Sequence, residues 1–165
     1  MVCNVKELNL PQRYKRSFTP KLAWDFASVM EKQAAPVYGK LGLEIPVITS
    51  STLCLIAEQK QASLLEVARA LGITHQLAAQ RVKTLLQLDI IFADKDKSDK
   101  RRTNYALTAK GQKQNTLLGQ YLRQAEQAFL ELNEELNIDL MLLLEKVNTC
   151  FAKRSLGQRI FKEEE

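Results

Sequence analysis

The sequence predicts a mainly α-helical fold with one short β-hairpin, and three observations in the middle of the chain lead to this prediction. A helical segment, 64–71, ends at Gly72, and a second helical segment follows directly. Two short runs with the composition of β-strands come next, at 90–93 and 103–107. The charged segment 94–102 lies between these runs. A helix, a tight turn, a second helix and a hairpin with a basic tip form the pattern of a winged helix-turn-helix.

The two helices of this motif carry recognisable caps. Ser63 and Glu66 have the spacing of a capping box, in which each side chain accepts a hydrogen bond from the backbone N–H of the other residue. Gly72 suits a left-handed helix stop, and Thr74 suits the N-cap of the second helix. Because only Gly72 and Ile73 separate the last helical residue from this cap, we expect the two helices to meet at a steep angle.

Longer helices are predicted on both sides of the motif. Thr19 and Pro20 have the pattern of an N-cap hydroxyl followed by proline at the first helical position, and Thr108 is expected to cap the helix after the hairpin. The spacing of apolar residues places the flanking helices at about 19–38, 46–59, 109–135 and 139–152. We therefore expect a polar arm over residues 1–18 and a single domain over 19–165, with the winged helix-turn-helix at about 46–108.

The composition narrows the function classes. The chain has 165 residues, 45% hydrophobic residues and a formal net charge of +5, which favours an anionic partner without proving one. No apolar run reaches the length of about 18 residues that a membrane span needs, and the polar N-terminus lacks the apolar core of a signal peptide. The sequence therefore predicts a cytoplasmic protein that does not enter a membrane.

Metal and catalytic sites are not expected. Cys3, Cys54 and Cys150 are far apart in the sequence, and the chain has a single histidine, so we expect neither a metal site nor a disulfide framework. Cys54 lies in an apolar segment and is predicted to be buried. The sequence has no supported Ser/His/Asp or Cys/His arrangement and no glycine-rich phosphate loop, which argues against an enzyme or a cofactor.

The second helix of the motif has two distinct faces. We expect one face to pack inward, and it consists of Ala78, Val82, Leu85 and Leu86. The opposite face consists of His75, Gln76, Ala79, Gln80 and Lys83. Glutamine can pair with adenine, lysine can pair with guanine or phosphate, and a small alanine lets a helix approach a thymine methyl group. A solvated helix face is the plainer interpretation, but the position between a tight turn and a basic hairpin favours contact with DNA.

The predicted hairpin tip is basic. Residues 94–102 contain five basic and three acidic side chains. A solvated turn is the plain alternative to a wing whose cations follow the minor groove or the DNA backbone. We predict DNA contacts for Lys97, Lys100, Arg101 and Arg102. Asp99 is expected to support a neighbouring arginine by a charge-assisted hydrogen bond rather than to contact DNA.

These residues carry a resemblance to a known family. The segment from Ile73 to Leu85, the D-x-R of Asp99 and Arg101, and the L-T-x-x-G that ends at Gly111 resemble the multiple-antibiotic-resistance regulator (MarR) family. The resemblance implies a homodimer whose N- and C-terminal helices, at about 19–39 and 109–155, interlock and present two winged lobes. It also implies that Asp99 orients the wing and that Arg101 enters the minor groove.

The resemblance has departures and one further implication. The turn before the first wing strand usually carries glycine but here carries Asp89, which tolerates a left-handed conformation less well. Many members bind small aromatic ligands between the dimerisation helices and the DNA-binding lobe, and here a possible pocket of this kind is formed by Trp24, Phe26 and Tyr38. Aromatic residues at helical spacing are more often part of a core, and that alternative stays open.

The sequence thus predicts a transcriptional regulator that binds double-stranded DNA as a homodimer, on an inverted repeat with half-sites about 10 bp apart. The resemblance adds a small aromatic ligand as a candidate effector. The alternative is a winged-helix module that binds another protein, as an antirepressor does, and has no sequence-specific DNA binding. The basic wing argues against this alternative.

Overall fold

The computed structural model of the chain describes residues 12–95 and 103–161. The chain divides into two compact units, Met1–Gly119 and Gln120–Glu165, and each is described by itself. Short 3-10 helices lie at Gln12–Phe18 and Val47–Thr49. The other elements, in chain order, are α1 (Thr19–Leu41), α2 (Ser50–Glu58), β1 (Ala62–Ser63), α3 (Leu64–Ala70), α4 (His75–Gln87), β2 (Ile91–Lys95), β3 (Thr103–Leu107), α5 (Ala109–Leu136), α6 (Leu140–Lys153) and α7 (Leu156–Phe161). The predicted fold class, mainly α with a small hairpin, is confirmed.

The ends of α1 differ from the prediction. Thr19 is the first helical residue rather than the N-cap, and its Oγ1 donates a hydrogen bond to the carbonyl of Arg16 at 2.7 Å. Pro20 lies in the first turn, as predicted. The helix continues through Gly39, which adopts helical backbone, and ends only where Gly42 takes a left-handed conformation at φ 74°.

The caps of α3 and α4 are confirmed. The backbone N–H of Ser63 donates to Oε2 of Glu66 at 2.8 Å, and the backbone N–H of Glu66 donates to Oγ of Ser63 at 3.4 Å. Gly72 is left-handed at φ 61°. The Oγ1 of Thr74 accepts a hydrogen bond from the N–H of Leu77 at 3.2 Å. Local signals therefore determine the turn between the two helices.

The sheet has three antiparallel strands in the order β1-β3-β2. The two wing strands were predicted, and their register pairs Ile91 with Leu107. The first strand was missed because it has only two residues, of which Ser63 pairs with Asn104. A strand this short has no alternation pattern that a sequence can display.

The core of the first unit forms where α2, α3 and α4 meet the sheet. Its fully buried large side chains are Leu53, Ile56, Val67, Leu85, Ile90, Ile91 and Leu118. On α4, Ala78, Val82 and Leu85 are buried, as predicted. Leu86 was also predicted to face inward, but it is 36% exposed. The reason is geometric, because at about 100° per residue Leu86 lies roughly 40° beyond Val82 and so falls at the edge of the inward stripe.

In the second unit, α5 is followed by a predicted break and two further helices. Asn137 is left-handed at φ 52°, and Asp139 caps α6 by accepting a hydrogen bond from the N–H of Leu142 at 2.9 Å. Helix α7 was not predicted. A capping box formed by Ser155 and Gln158 begins it, with the N–H of Ser155 donating to Oε1 of Gln158 at 2.8 Å.

Candidate nucleic-acid interface

Helix α4 is held by a cap at its N-terminus and by one buried face. Thr74 caps its N-terminus, and three side chains on one face, Ala78, Val82 and Leu85, are 0–3% exposed. Each fully buried Val or Leu contributes about 1.5–3 kcal/mol of hydrophobic stabilisation. The inward face therefore holds the helix in one rotation and leaves a defined face to solvent.

The predicted reading residues lie on the solvent side of α4. His75, Gln76, Gln80 and Lys83 are exposed, and Ala79 is partly exposed. All five side chains are therefore accessible to a partner. Their contact with DNA stays a prediction.

The charged side chains of α4 itself are basic, and the acid-free stretch around it ends at Glu66 and Asp89. Residues 67–88 contain no aspartate or glutamate, and the cations in this stretch are Arg69, Arg81 and Lys83. The N-terminus of a helix adds a partial positive charge from its unpaired N–H groups. An anionic partner is thus attracted to the whole segment.

Two of these cations were overlooked in the sequence. Arg69 is exposed in the last turn of α3. Arg81 is half-buried and turns toward α2, where its Nη1 lies 3.4 Å from Oγ of Ser51, and its Nε is buried without a hydrogen-bond partner. A periodicity analysis could have detected Arg69 as a surface cation, but the side on which Arg81 lies depends on packing.

The turn that joins α4 to the wing is tightly packed. Asp89 is left-handed at φ 57°, which agrees with the family's preference for glycine there. The Oγ1 of Thr108 donates to the carbonyl of Asp89 at 2.7 Å and accepts from the N–H of Gly111 at 2.9 Å. A Cβ at Gly111 would lie 1.9 Å from the carbonyl oxygen of Ile90, so this position requires glycine. The L-T-x-x-G motif is therefore the joint between α5 and this turn.

The described part of the wing is its base. The last described pair of the hairpin is Lys95 with Thr103. The predicted wing residues lie outside the described residues, and they are Lys97, Asp99, Lys100, Arg101 and Arg102. The register confirms that they belong to the connection between β2 and β3.

The proposed aromatic pocket is not supported. Tyr38 is buried, with its hydroxyl 2.7 Å from Oγ of Ser50, whereas Trp24 is 71% exposed. Trp24 and Tyr38 are 14 residues apart on α1, which corresponds to about 21 Å along the helix axis. One small ligand could not contact both side chains of the same chain. A shallow pocket of about 430 Å³ lies elsewhere, beside Phe92, Leu107 and Gln112.

Cys54 and the possible metal ligands are the remaining candidates for chemistry in the described residues. Cys54 is half-buried rather than fully buried, and desolvation, followed by the nearby charge of Glu58, raises the pKa of its thiol. In the described ranges, no three His, Cys, Asp or Glu side chains are grouped as metal ligands. A search of the same ranges found no helix with the length and apolar character of a membrane span.

Comparison with known proteins identifies the fold. No family model and no curated protein matches the sequence. Three solved structures illustrate the likeness. The transcriptional regulator BldR from Sulfolobus solfataricus is 18% identical with a TM-score of 0.61, over 87% of this chain and 99% of that one. The MarR family transcription regulator SP03579 is 19% identical with a TM-score of 0.58, over 93% and 95%. A variant of MepR from S. aureus, bound to an oligodeoxyribonucleotide, is 24% identical with a TM-score of 0.51, over 79% and 99%.

The chain therefore has the winged-helix fold of MarR-family regulators, and the resemblance seen in the sequence is confirmed at the level of fold. Both of these neighbours are described as transcriptional regulators.

Proposed function

We propose that this chain is a DNA-binding transcriptional regulator that acts as a homodimer on an inverted repeat. The observation that carries the proposal is the exposed face of α4. This face is held in one rotation by a cap and three buried side chains, and no acidic side chain lies on the helix. The MepR variant with the same fold is described as bound to an oligodeoxyribonucleotide.

On this proposal the side chains of α4 have different roles. Gln76 and Gln80 read base edges, because a glutamine amide can donate to and accept from adenine in the major groove. Lys83 contacts guanine or phosphate. His75 and Ala79 lie on the same side of the helix, where Ala79 permits a close approach. The wing residues Lys97, Lys100, Arg101 and Arg102 supply contacts to the backbone and minor groove, with Asp99 as their support.

The second unit supports a homodimer. No residue of α6 is buried, although the helix is rich in large apolar side chains, namely Met141, Leu142, Leu143, Leu144, Val147 and Phe151. A helix of 14 residues that buries nothing has little stability in water. A second copy of the chain would cover this surface and bring two winged lobes onto one DNA site, about 10 bp apart.

Selection of bound fragments from random duplex DNA, using the full chain, tests the proposal. We expect a palindromic site, and a slope of log K against log salt near −5 to −7 if about six to eight phosphates are neutralised. Recovery of no sequence, together with a flat salt response, would refute the proposal. That result would favour the alternative module, in which the same lobe binds a protein.

Glutamine variants locate the reading surface. Gln80→Ala should weaken binding to the selected site by about 1–3 kcal/mol and relax the preference at one or two base pairs. Gln112→Ala is a matched control, because Gln112 is an exposed glutamine on α5 in the same unit. Equal affinity of the two variants for the selected site would show that the reading surface is wrongly placed.

Two finer points stay predictions. A cytoplasmic location is expected from the sequence. Control by a small aromatic ligand is implied by the resemblance, and because Trp24 and Tyr38 lie far apart on α1, a ligand that contacts both would have to bind between two protomers.

A further inference from the structure

Two side chains at the start of α5 contact the segment that follows α1, and one of them also contacts the end of α4. They are Lys110 and Gln114, which are four residues apart and therefore lie on the same face of the helix. Both belong to the first unit. Neither residue was assigned a role in DNA binding above.

Lys110 is placed at the C-terminal end of α4. Its Nζ donates to the carbonyl oxygen of Leu88 at 3.1 Å and lies 2.6 Å from Oε2 of Glu44. Leu88 is the C-cap of α4, where carbonyl groups lack partners within the helix and the helix dipole favours a cation. The ammonium group thus joins the end of α4 to Glu44, in the link between α1 and α2.

Gln114 holds the same link from the next turn of α5. Its Oε1 accepts from the backbone N–H of Glu44 at 2.8 Å, and its Nε2 donates to the carbonyl of Gly42 at 3.1 Å. The residue is only 5% exposed. A buried glutamine that satisfies two backbone groups about 70 residues away in sequence fixes the link in one position relative to α5.

We propose that Lys110 and Gln114 are positioning residues for DNA reading, which hold α4 at a fixed orientation to the link that follows α1. The proposal rests on the proposed function. Neither side chain needs to touch DNA. Lys110 acts on the end of α4 directly, and Gln114 acts through the link that carries Glu44, the ion-pair partner of Lys110. The buried face still fixes the rotation of α4, but loss of either contact loosens its C-terminal end, so that a specific site loses more affinity than an arbitrary one.

Lysine variants on α5 separate positioning from charge. Lys110→Met and Lys113→Met each remove one positive charge from the same helix, and Lys113 is exposed. The test measures the affinity of the full chain for its selected duplex and for a scrambled duplex of the same composition, at two salt concentrations. Amide hydrogen exchange at residues 88–90 is measured without DNA.

Lys113→Met should weaken both duplexes by the same factor. Lys110→Met should in addition lower the ratio of the two affinities by about threefold, because the contact is partly exposed. Exchange at 88–90 should be faster in Lys110→Met alone, and Lys110→Arg should restore the affinity ratio. Gln114→Leu, provided that its circular dichroism shows a folded protein, should lower the ratio by about tenfold, because it leaves buried backbone groups unpaired.

Three results are decisive. If Lys110→Met matches Lys113→Met in both affinity ratio and exchange, the positioning role is refuted. If Lys110→Met weakens both duplexes equally, beyond Lys113→Met and with a smaller salt slope, Lys110 is a phosphate contact and the proposal is also refuted. A wild-type protein that prefers no duplex would instead refute the proposed function, whereas preserved discrimination in Lys110→Met would refute only the positioning role.

Discussion

Replacement of Gly111 by alanine tests how closely α5 approaches the turn after α4. The added Cβ would lie 1.9 Å from the carbonyl oxygen of Ile90. An ordinary contact between carbon and oxygen is about 3.3 Å, so the start of α5 must move by about 1.4 Å. Such a movement breaks two hydrogen bonds of Thr108, which reach Ile90 at 3.1 Å and Asp89 at 2.7 Å.

The expected change in the free energy of unfolding combines three effects. Two lost hydrogen bonds cost about 2 kcal/mol, and the strain of overpacking costs about 1–3 kcal/mol. Alanine in a helix gains about 1 kcal/mol over glycine. Gly111→Ala should therefore be less stable than the wild type by about 2–4 kcal/mol. Urea unfolding followed by circular dichroism, at fixed protein concentration, measures the difference.

Gly39→Ala is the matched control. Gly39 lies in the last turns of α1, and a Cβ there meets nothing within 4 Å. Only the gain in helix propensity applies, so this variant should be as stable as the wild type or more stable by up to about 1 kcal/mol. If Gly111→Ala proves as stable as Gly39→Ala, the close packing of α5 against Ile90 is wrong.

Three further changes have expected outcomes. Asp89→Gly should raise the free energy of unfolding by up to about 1 kcal/mol, because glycine adopts the left-handed conformation without strain. The midpoint of urea unfolding should then be higher than in the wild type, and a lower midpoint would contradict this. Thr74→Ala should cost about 1 kcal/mol in the same assay by removing the cap of α4. Because burial raises the pKa of the Cys54 thiol, less of it is thiolate near neutral pH, and it should react with a disulfide reagent more slowly in the folded protein than in the urea-unfolded chain, as peptide mass mapping would show. Glu58→Gln should accelerate the reaction of Cys54, since it removes the second cause of the raised pKa.

The sequence was most informative where the determining residues are neighbours. Ser63 with Glu66, Gly72 and Thr74 fix the ends of α3 and α4 through contacts that span three residues. The same type of signal was present for α7, where Ser155 and Gln158 have capping-box spacing, and it was overlooked.

Contacts between distant segments could not be predicted in this way. The pairing of Ser63 with Asn104, the bonds of Gln114 to Gly42 and Glu44, and the turn of Arg81 toward α2 all depend on tertiary packing. The family resemblance pointed to Gly111 by its motif, but the reason for glycine appears only when α5 is packed against Ile90.

Strand β1 has a consequence for how this protein can change its target. Ser63 both pairs with Asn104 of β3 and caps α3, so one residue anchors the root of the wing and the first helix of the motif. These two contacts together fix the angle between the base of the wing and α3. Under the proposed function, descendants of this sequence that bind new DNA sites should differ in the side chains of α4 and in residues 96–102. A change in the angle of the wing would require the loss of both the Ser63–Asn104 strand pair and the Ser63 cap of α3.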